Sequence, residues 1–168
     1  MNQQFKSKIQ DVQDFPIKGV LFRDISPLLK SPTDFAAAVD AMVAGLDLKS
    51  IDTIVGIESR GFILGAAIAA RYGKGFVVAR KAGKLPPPVS KFTYKLEYGE
   101  ATLEMKSGRG RVLIVDDVLA TGGTLQATIH LCENAGYQIT GVSVLIDLKF
   151  LNKFRWNGNP VHSVIQYD

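Results

Sequence analysis

The stretch Val112–Thr124, which reads VLIVDDVLATGGT, decides the fold of this chain. Its first residues are apolar and mostly branched, which is typical of a strand buried on both faces of a parallel sheet. Two aspartates end the apolar run, two glycines follow, and helical spacing begins at Thr124. The stretch therefore predicts a strand over Arg111–Asp116, a tight glycine turn, and a helix over Thr124–Asn134.

Strands and helices alternate around this unit. Helical spacing of apolar residues predicts one helix from Ser31 to about Leu48 and another over Arg60–Tyr72. Apolar runs predict four further strands, at Thr53–Ile57, Gly75–Arg80, Ile139–Ile146 and near Val161–Gln166. This alternation predicts an α/β fold, with a central, mainly parallel sheet flanked by helices in a single domain over residues 1–168.

Length and composition narrow the class of protein. The chain has 168 residues, 46% of them hydrophobic and 21% charged, as in one ordinary globular domain. Its one cysteine, Cys132, excludes an intramolecular disulfide and a Cys-rich zinc site. We find neither a signal-peptide pattern nor an apolar run near the ~18 residues that cross a membrane, so we expect a cytoplasmic protein with no membrane contact.

Positive charge is concentrated in one part of the chain. Arg71–Arg111 holds ten Lys or Arg against three Glu, a net +7, whereas the whole chain carries +4. Such an excess suits a nucleic-acid surface, a solvated face, or attraction of a polyphosphate. Ligands bind beyond the carboxyl ends of parallel strands, and the basic loop Lys81–Lys91 follows one such end. We therefore favour a polyphosphate and expect no nucleic-acid partner.

The turn after the two aspartates suits a phosphate monoester. A helix N-terminus offers unpaired N–H groups and partial positive charge, and glycines let the backbone approach an anion closely. We expect Asp116 and Asp117 to accept hydrogen bonds from ribose hydroxyls. The phosphate is assigned to Ala120, Thr121, Gly122, Gly123 and Thr124. A plain helix cap is the alternative.

These residues resemble the diphosphate-sugar motif of the type I phosphoribosyltransferases. Four other segments share the resemblance: Phe15–Pro27 (FPIKGVLFRDISP), Glu58–Phe62, Arg80–Pro86 and Tyr94–Glu104. The sequences FRDISP (Phe22–Pro27) and LEYG (Leu96–Gly99) narrow the resemblance to the adenine-using members. It implies the type I phosphoribosyltransferase fold, with a small hood from about residues 1–30 plus C-terminal contributions, and a flexible lid loop at about 81–106. It also implies a homodimer.

The implied reaction joins adenine to the sugar of 5-phosphoribosyl 1-diphosphate and yields AMP and pyrophosphate. Mg²⁺ is the implied cofactor, held mainly by the substrate rather than by protein ligands, although Asp116 or Asp117 could contact it through water instead of a ribose hydroxyl. Glu97 is the implied general acid/base, and Tyr98 would shield or orient the site. The pyrophosphate would bind at Ser59, Arg60, Arg80, Lys81 and Lys84. A cis peptide bond is implied near Glu58–Ser59.

The resemblance assigns the adenine pocket to Leu21, Phe22, Arg23 and Leu148, with backbone groups near Leu21 and Arg23 reading the base. Two alternatives remain open. A 6-oxopurine would need a hydrogen-bond donor near the position after Ile146, where the chain has Asp147, an acceptor. A non-catalytic regulator of the same fold would bind the diphosphate-sugar as an effector while contacting nucleic acid.

Overall fold

The structure, a computed structural model, describes residues 2–95 and 99–168. The helices are α1 (Asn2–Lys6), α2 (Ser26–Lys30), α3 (Pro32–Ala41), α4 (Arg60–Tyr72) and α5 (Gly123–Asn134), with 3₁₀ turns at Leu48–Ser50 and Lys149–Leu151. The strands are β1 (Gln10–Gln13), β2 (Leu21–Asp24), β3 (Thr53–Ile57), β4 (Gly75–Lys81), β5 (Ser90–Lys95), β6 (Glu100–Met105), β7 (Arg111–Leu119), β8 (Gln138–Leu148) and β9 (His162–Tyr167).

Among the described residues, the central sheet has the strand order β5-β6-β4-β3-β7-β8-β9. β4, β3, β7, β8 and β9 pair in parallel, and the β5–β6 hairpin adds antiparallel to β4. β1 and β2 form a separate antiparallel sheet. The parallel strands bring their carboxyl ends to one edge, where the candidate site residues of β3, β4, β7 and β8 therefore meet.

Alternate residues of the central strands pack on opposite faces of the sheet. On β7, Leu113 and Val115 join a buried cluster with side chains of α3 and α4. Val112 and Ile114 join a second cluster with side chains of α5. The core thus lies in two layers, and this arrangement confirms the predicted α/β fold with a mainly parallel sheet between helices.

Two element boundaries differ most from the sequence predictions. The helix predicted to reach Leu48 ends at Ala41, because the chain then changes to i−3 hydrogen bonds, as from the N–H of Val43 to the carbonyl of Asp40 (3.2 Å). β7 continues past Asp116 to Leu119, because β8 keeps pairing with it. None of the described helices is long and apolar enough to cross a membrane.

Candidate active site

The phosphate turn and the two aspartates line one cavity of about 320 Å³ at the carboxyl edge of the sheet. Its wall runs without a break from Asp116 to Leu125, and Glu58–Arg60 close its other side. The first turn of α5 points its N–H groups toward this cavity, because the helix begins at Gly123. The structure therefore brings together the residues predicted to hold the phosphate and the ribose.

Both aspartates are buried, and their surroundings oppose ionisation. Burial raises the pKa of Asp116 well above its usual range, and the neighbouring charge of Asp117 raises it further. Burial also raises the pKa of Asp117, while the charge of Arg60 opposes that shift. Asp116 Oδ1 accepts a hydrogen bond from the N–H of Asp117 (2.9 Å). Such a pair gains from any ligand that donates hydrogen bonds to it.

At two positions around the cavity, the chain has room only for glycine. A Cβ on Gly61 would lie 2.8 Å from Asp116 Oδ1 and 2.9 Å from the carbonyl oxygen of Val115, so only glycine lets α4 start this close to β7. Gly122 has a φ of 91°, and a Cβ there would lie 2.8 Å from Cδ2 of Phe154. The backbone course of the phosphate turn therefore depends on Gly122.

Arg60 connects Asp117 to the N-terminal sheet of β1 and β2. Its Nη2 lies 2.6 Å from Asp117 Oδ2, an ion pair rather than a well-aligned hydrogen bond. Its Nη1 donates to the carbonyl of Arg23 (3.1 Å), and its guanidinium lies 4.6 Å from the ring centre of Phe22. The predicted pyrophosphate residue thus also contacts two residues predicted to bind the base.

Glu58 contacts the three basic residues at the start of the basic loop that are predicted to bind the pyrophosphate. Its carboxylate accepts from the N–H of Lys81 (2.8 Å) and from Nζ of Lys84 (2.7 Å), and Arg80 Nη2 lies 3.5 Å away. Burial alone would raise the pKa of Glu58, but these contacts lower it to about 2. Ser59 follows through a cis peptide bond, as the resemblance implied. The basic loop is therefore anchored beside the phosphate cavity.

Glu104 is a second anchor of the basic loop, and the sequence analysis missed it. This buried carboxylate on β6 accepts from the N–H groups of Lys84 and Leu85, each at 2.7 Å. Hydrogen bonds from the backbone of Gly83, Leu85 and Lys84 lower its pKa despite desolvation. The sequence offered one signal, an acidic residue between the apolar residues Leu103 and Met105. A surface strand would point such a carboxylate toward solvent, whereas all three side chains are buried here.

A second cavity, of about 490 Å³, adjoins the first and shares Arg60, Val118 and Ala120 with it. Leu21, Phe22, Arg23 and Leu148, the four residues assigned to the base, all line it. Arg23 offers its backbone there, because its guanidinium pairs with Asp11 and lies 3.9 Å from the ring centre of Tyr167. Its remaining walls are Gly19, Val20, Phe150 and Leu151, which the sequence analysis did not assign.

Comparison with known proteins identifies the family. Residues 29–152 match the phosphoribosyl transferase domain. The adenine phosphoribosyltransferase of Bdellovibrio bacteriovorus is 54% identical over 162 residues, which cover 96% of this chain and 98% of that protein. The chain belongs to the adenine phosphoribosyltransferase family. The family's crystal structure from Rhodothermus marinus matches with a TM-score of 0.87 and 43% identity, over 98% of this chain and 97% of that one.

A further family structure bears on the ligands. The Saccharomyces cerevisiae enzyme matches with a TM-score of 0.85 and 36% identity, over 97% of each chain, and was crystallised with adenine and an imino-altritol 1,6-bisphosphate. The match in fold confirms the type I phosphoribosyltransferase architecture predicted from Val112–Thr124.

Asp147 does not bear on the choice of base as the sequence analysis supposed. Successive strand residues face opposite sides, so Leu148 lines the base cavity while Asp147 lines a separate one with Asn152 and Phe154. Its Oδ1 accepts a hydrogen bond from Nδ2 of Asn152 (3.1 Å). The preference for adenine over a 6-oxopurine therefore rests on the family relationship and not on this residue.

Two predicted catalytic residues, Glu97 and Tyr98, lie outside the described residues, and their roles stay predictions. Within residues 2–95 and 99–168, no group of three or more His, Cys, Asp or Glu side chains is placed to hold a metal ion. Cys132 is buried on the apolar face of α5, and burial raises the pKa of its thiol to about 12. It therefore belongs to the core.

Proposed function

We propose that this chain transfers the 5-phosphoribosyl group of 5-phosphoribosyl 1-diphosphate to adenine, giving AMP and pyrophosphate in purine salvage. One observation carries the proposal. A polar cavity with an anion-binding helix N-terminus joins an apolar cavity of suitable size for a base, and the two meet at Arg60, Val118 and Ala120. A sugar phosphate in the first cavity would present its C1 toward a base in the second.

The reaction needs positioning and charge stabilisation more than covalent chemistry by the protein. We propose that the turn Ala120–Thr124 holds the 5-phosphate and that Asp116 and Asp117 accept hydrogen bonds from the ribose hydroxyls. Burial of both carboxylates supports this role, because partners for buried acceptors are worth more than partners in water. The sugar would then be fixed while the bond from C1 to the leaving pyrophosphate breaks and the bond from C1 to adenine N9 forms. The proton that adenine loses in this step would pass to Glu97, its proposed acceptor.

We assign the leaving pyrophosphate to Ser59, Arg60, Arg80, Lys81 and Lys84. Arg80, Lys81 and Lys84 contact Glu58, and Ser59 and Arg60 follow Glu58 in the cavity wall, which supports the assignment. Arg80 Nε adds a second indication, since it is buried and has no hydrogen-bond partner among the described residues. A diphosphate group supplies several acceptor oxygens to such a donor set.

The donor set also suits Mg²⁺ held mainly by substrate. Asp116 and Asp117 offer hard oxygen ligands within one cavity, and Mg²⁺ usually binds one or two carboxylates together with substrate phosphates and water. When bound, the ion would neutralise charge on the departing pyrophosphate. We further propose a cytoplasmic homodimer without a nucleic-acid partner, a small hood built on β1 and β2, and a lid at about residues 81–106 that carries Glu97 and Tyr98.

Product analysis tests the proposed function. The protein is incubated with 5-phosphoribosyl 1-diphosphate, Mg²⁺, and adenine, hypoxanthine, guanine or xanthine in separate reactions, and the nucleotide and pyrophosphate are quantified. We expect AMP and pyrophosphate in equal amounts from adenine. Turnover of hypoxanthine but not adenine would overturn the choice of base. Binding of the diphosphate-sugar without turnover of any base, together with salt-dependent DNA or RNA binding, would favour the regulator.

A further inference from the structure

Four large apolar side chains around the base cavity are exposed to solvent. Val20 is 37% exposed, Leu21 40%, Phe150 58% and Leu151 48%. All four line the same cavity, although Val20 and Leu21 lie where β2 begins and the other two in the 3₁₀ turn Lys149–Leu151. Single exposed apolar residues are ordinary, but several that converge on one cavity mark a surface that an apolar ligand covers.

The turn that carries Phe150 and Leu151 is held in place by Asn152. Nδ2 of Asn152 donates to the carbonyl of Leu148 (2.9 Å) and to Asp147 Oδ1 (3.1 Å), and its Oδ1 accepts from the N–H of Phe154 (3.0 Å). Both ends of the turn are thereby tied to the end of β8. The two apolar side chains are presented to the cavity from a fixed backbone, which lowers the entropy cost of binding.

The charged side chains that line this cavity already contact other groups of the protein. The guanidinium of Arg23 is engaged by Asp11 and Tyr167, and that of Arg60 by Asp117 and the carbonyl of Arg23. The rest of the lining is apolar apart from backbone groups. Binding energy for a planar base must therefore come largely from apolar contact, and the turn supplies the most exposed part of that surface.

We propose that Phe150 and Leu151 bind the purine base and help set the affinity of the enzyme for it. This inference rests on the proposed function and adds residues to its base site. The two side chains pack against the base and are covered by it. They contribute to base binding and not to phosphate binding, since neither lines the cavity of the phosphate turn.

The test compares two ligands that differ only by the base, AMP and ribose 5-phosphate, by titration calorimetry. Phe150→Ala and Leu151→Ala are each expected to weaken AMP binding about tenfold, which corresponds to about 1.4 kcal/mol. Their affinity for ribose 5-phosphate should stay at the wild-type value. In turnover assays KM for adenine should rise while KM for 5-phosphoribosyl 1-diphosphate is unchanged, and Phe150→Leu should recover part of the loss.

Ile17→Ala is the matched control. Ile17 is also a large exposed apolar residue, at 67%, but it does not line the cavity, so its truncation should leave both affinities unchanged. Wild-type AMP affinity in both Phe150→Ala and Leu151→Ala would overturn the inference, as would equal weakening of AMP and ribose 5-phosphate. If the wild-type protein converts adenine to AMP, such a result would contradict the role of Phe150 and Leu151 and leave the proposed function intact. Thermal denaturation checks that each variant is folded.

Discussion

Gly122→Ala should damage the phosphate turn, whereas the adjacent Gly123→Ala should not. Gly122 has a φ of 91°, and its added Cβ would lie 2.8 Å from Cδ2 of Phe154. At Gly123 the nearest atom to an added Cβ is Oγ1 of Thr121 at 4.0 Å, so the methyl group has room. The two variants carry the same chemical change one residue apart, and both keep every backbone N–H of the turn.

The magnitude follows from three effects. A left-handed conformation costs an L-residue about 1–2 kcal/mol. Replacing glycine by alanine also restricts the unfolded chain, which offsets about 0.4–1 kcal/mol. The contact with Phe154 adds to the cost, because that ring packs in the buried cluster beneath α5. We expect Gly122→Ala to lose about 1–2 kcal/mol of the free energy of unfolding, a decrease in Tm of roughly 2–8 °C.

Gly123→Ala should be neutral or gain up to about 1 kcal/mol, because alanine favours the helix that begins there. Chemical denaturation measures both changes, and calorimetric titration with ribose 5-phosphate measures the turn directly. To relieve the strain in Gly122→Ala, the neighbouring N–H groups must rotate away from their positions in the turn. We therefore expect ribose 5-phosphate to bind about tenfold more weakly, a loss of about 1.4 kcal/mol in binding free energy. Wild-type stability and wild-type affinity in Gly122→Ala would refute this reasoning.

Three further substitutions test the charges of the site. Asp116→Asn should abolish most binding of 5-phosphoribosyl 1-diphosphate yet stabilise the protein at pH 7. Folding raises the pKa of the Asp116 carboxyl, so the free energy of unfolding of the wild-type protein falls as pH rises from about 4, and the amide removes this loss. Glu58→Gln should destabilise at pH 7 and flatten the acid side of the stability curve, because wild-type Glu58 loses its contribution as pH falls from about 4.5 toward about 2. Glu97→Ala should slow the chemical step by about 100- to 10,000-fold in single-turnover kinetics while ribose 5-phosphate binding is retained.

Each of these has a contrary outcome. Equal stability of wild type and Asp116→Asn across pH 4–8 would mean that its carboxylate is not desolvated in solution. An unchanged acid unfolding profile in Glu58→Gln would contradict the pairing of Glu58 with the basic loop. An unchanged chemical step in Glu97→Ala would remove its role in proton transfer.

Local chemistry made part of the site predictable. The apolar run that ends in Asp116 and Asp117, followed by two glycines and a helix, fixes both a strand end and an anion site within consecutive residues. Because parallel strands share one ligand edge, the sequence alone also predicts that Arg60 and the basic loop lie near this edge. The base residues were located from the family resemblance alone, since apolar residues at a pocket look like core residues in a sequence.

Features that depend on side-chain direction across the fold were not predictable. Nothing local to Glu58 indicates that Lys84, 26 positions later, will donate to it. Successive residues of β8 face opposite sides of the sheet, so Leu148 faces the base cavity and Asp147 does not. A shift of one residue in the register of β8 would exchange the two. Phe150 and Leu151 follow a strand in a stretch without a recognisable motif, so only the cavity reveals their position.

The pairing of cations with the protein's own carboxylates bears on which anions the site accepts. Arg80 and Lys84 contact Glu58, and Arg60 contacts Asp117. With a pKa of about 2, Glu58 stays ionised at neutral pH, so any anion that binds these cations competes with a negative charge already in contact. A small anion such as inorganic phosphate gains little by that exchange, because its contacts largely replace a carboxylate contact that is already present. A diphosphate offers several oxygens and a larger charge, and so it can bind Arg80 and Lys84 while Glu58 keeps the N–H of Lys81. We therefore expect pyrophosphate to compete with 5-phosphoribosyl 1-diphosphate far more strongly than inorganic phosphate does, and Glu58→Gln to narrow that difference.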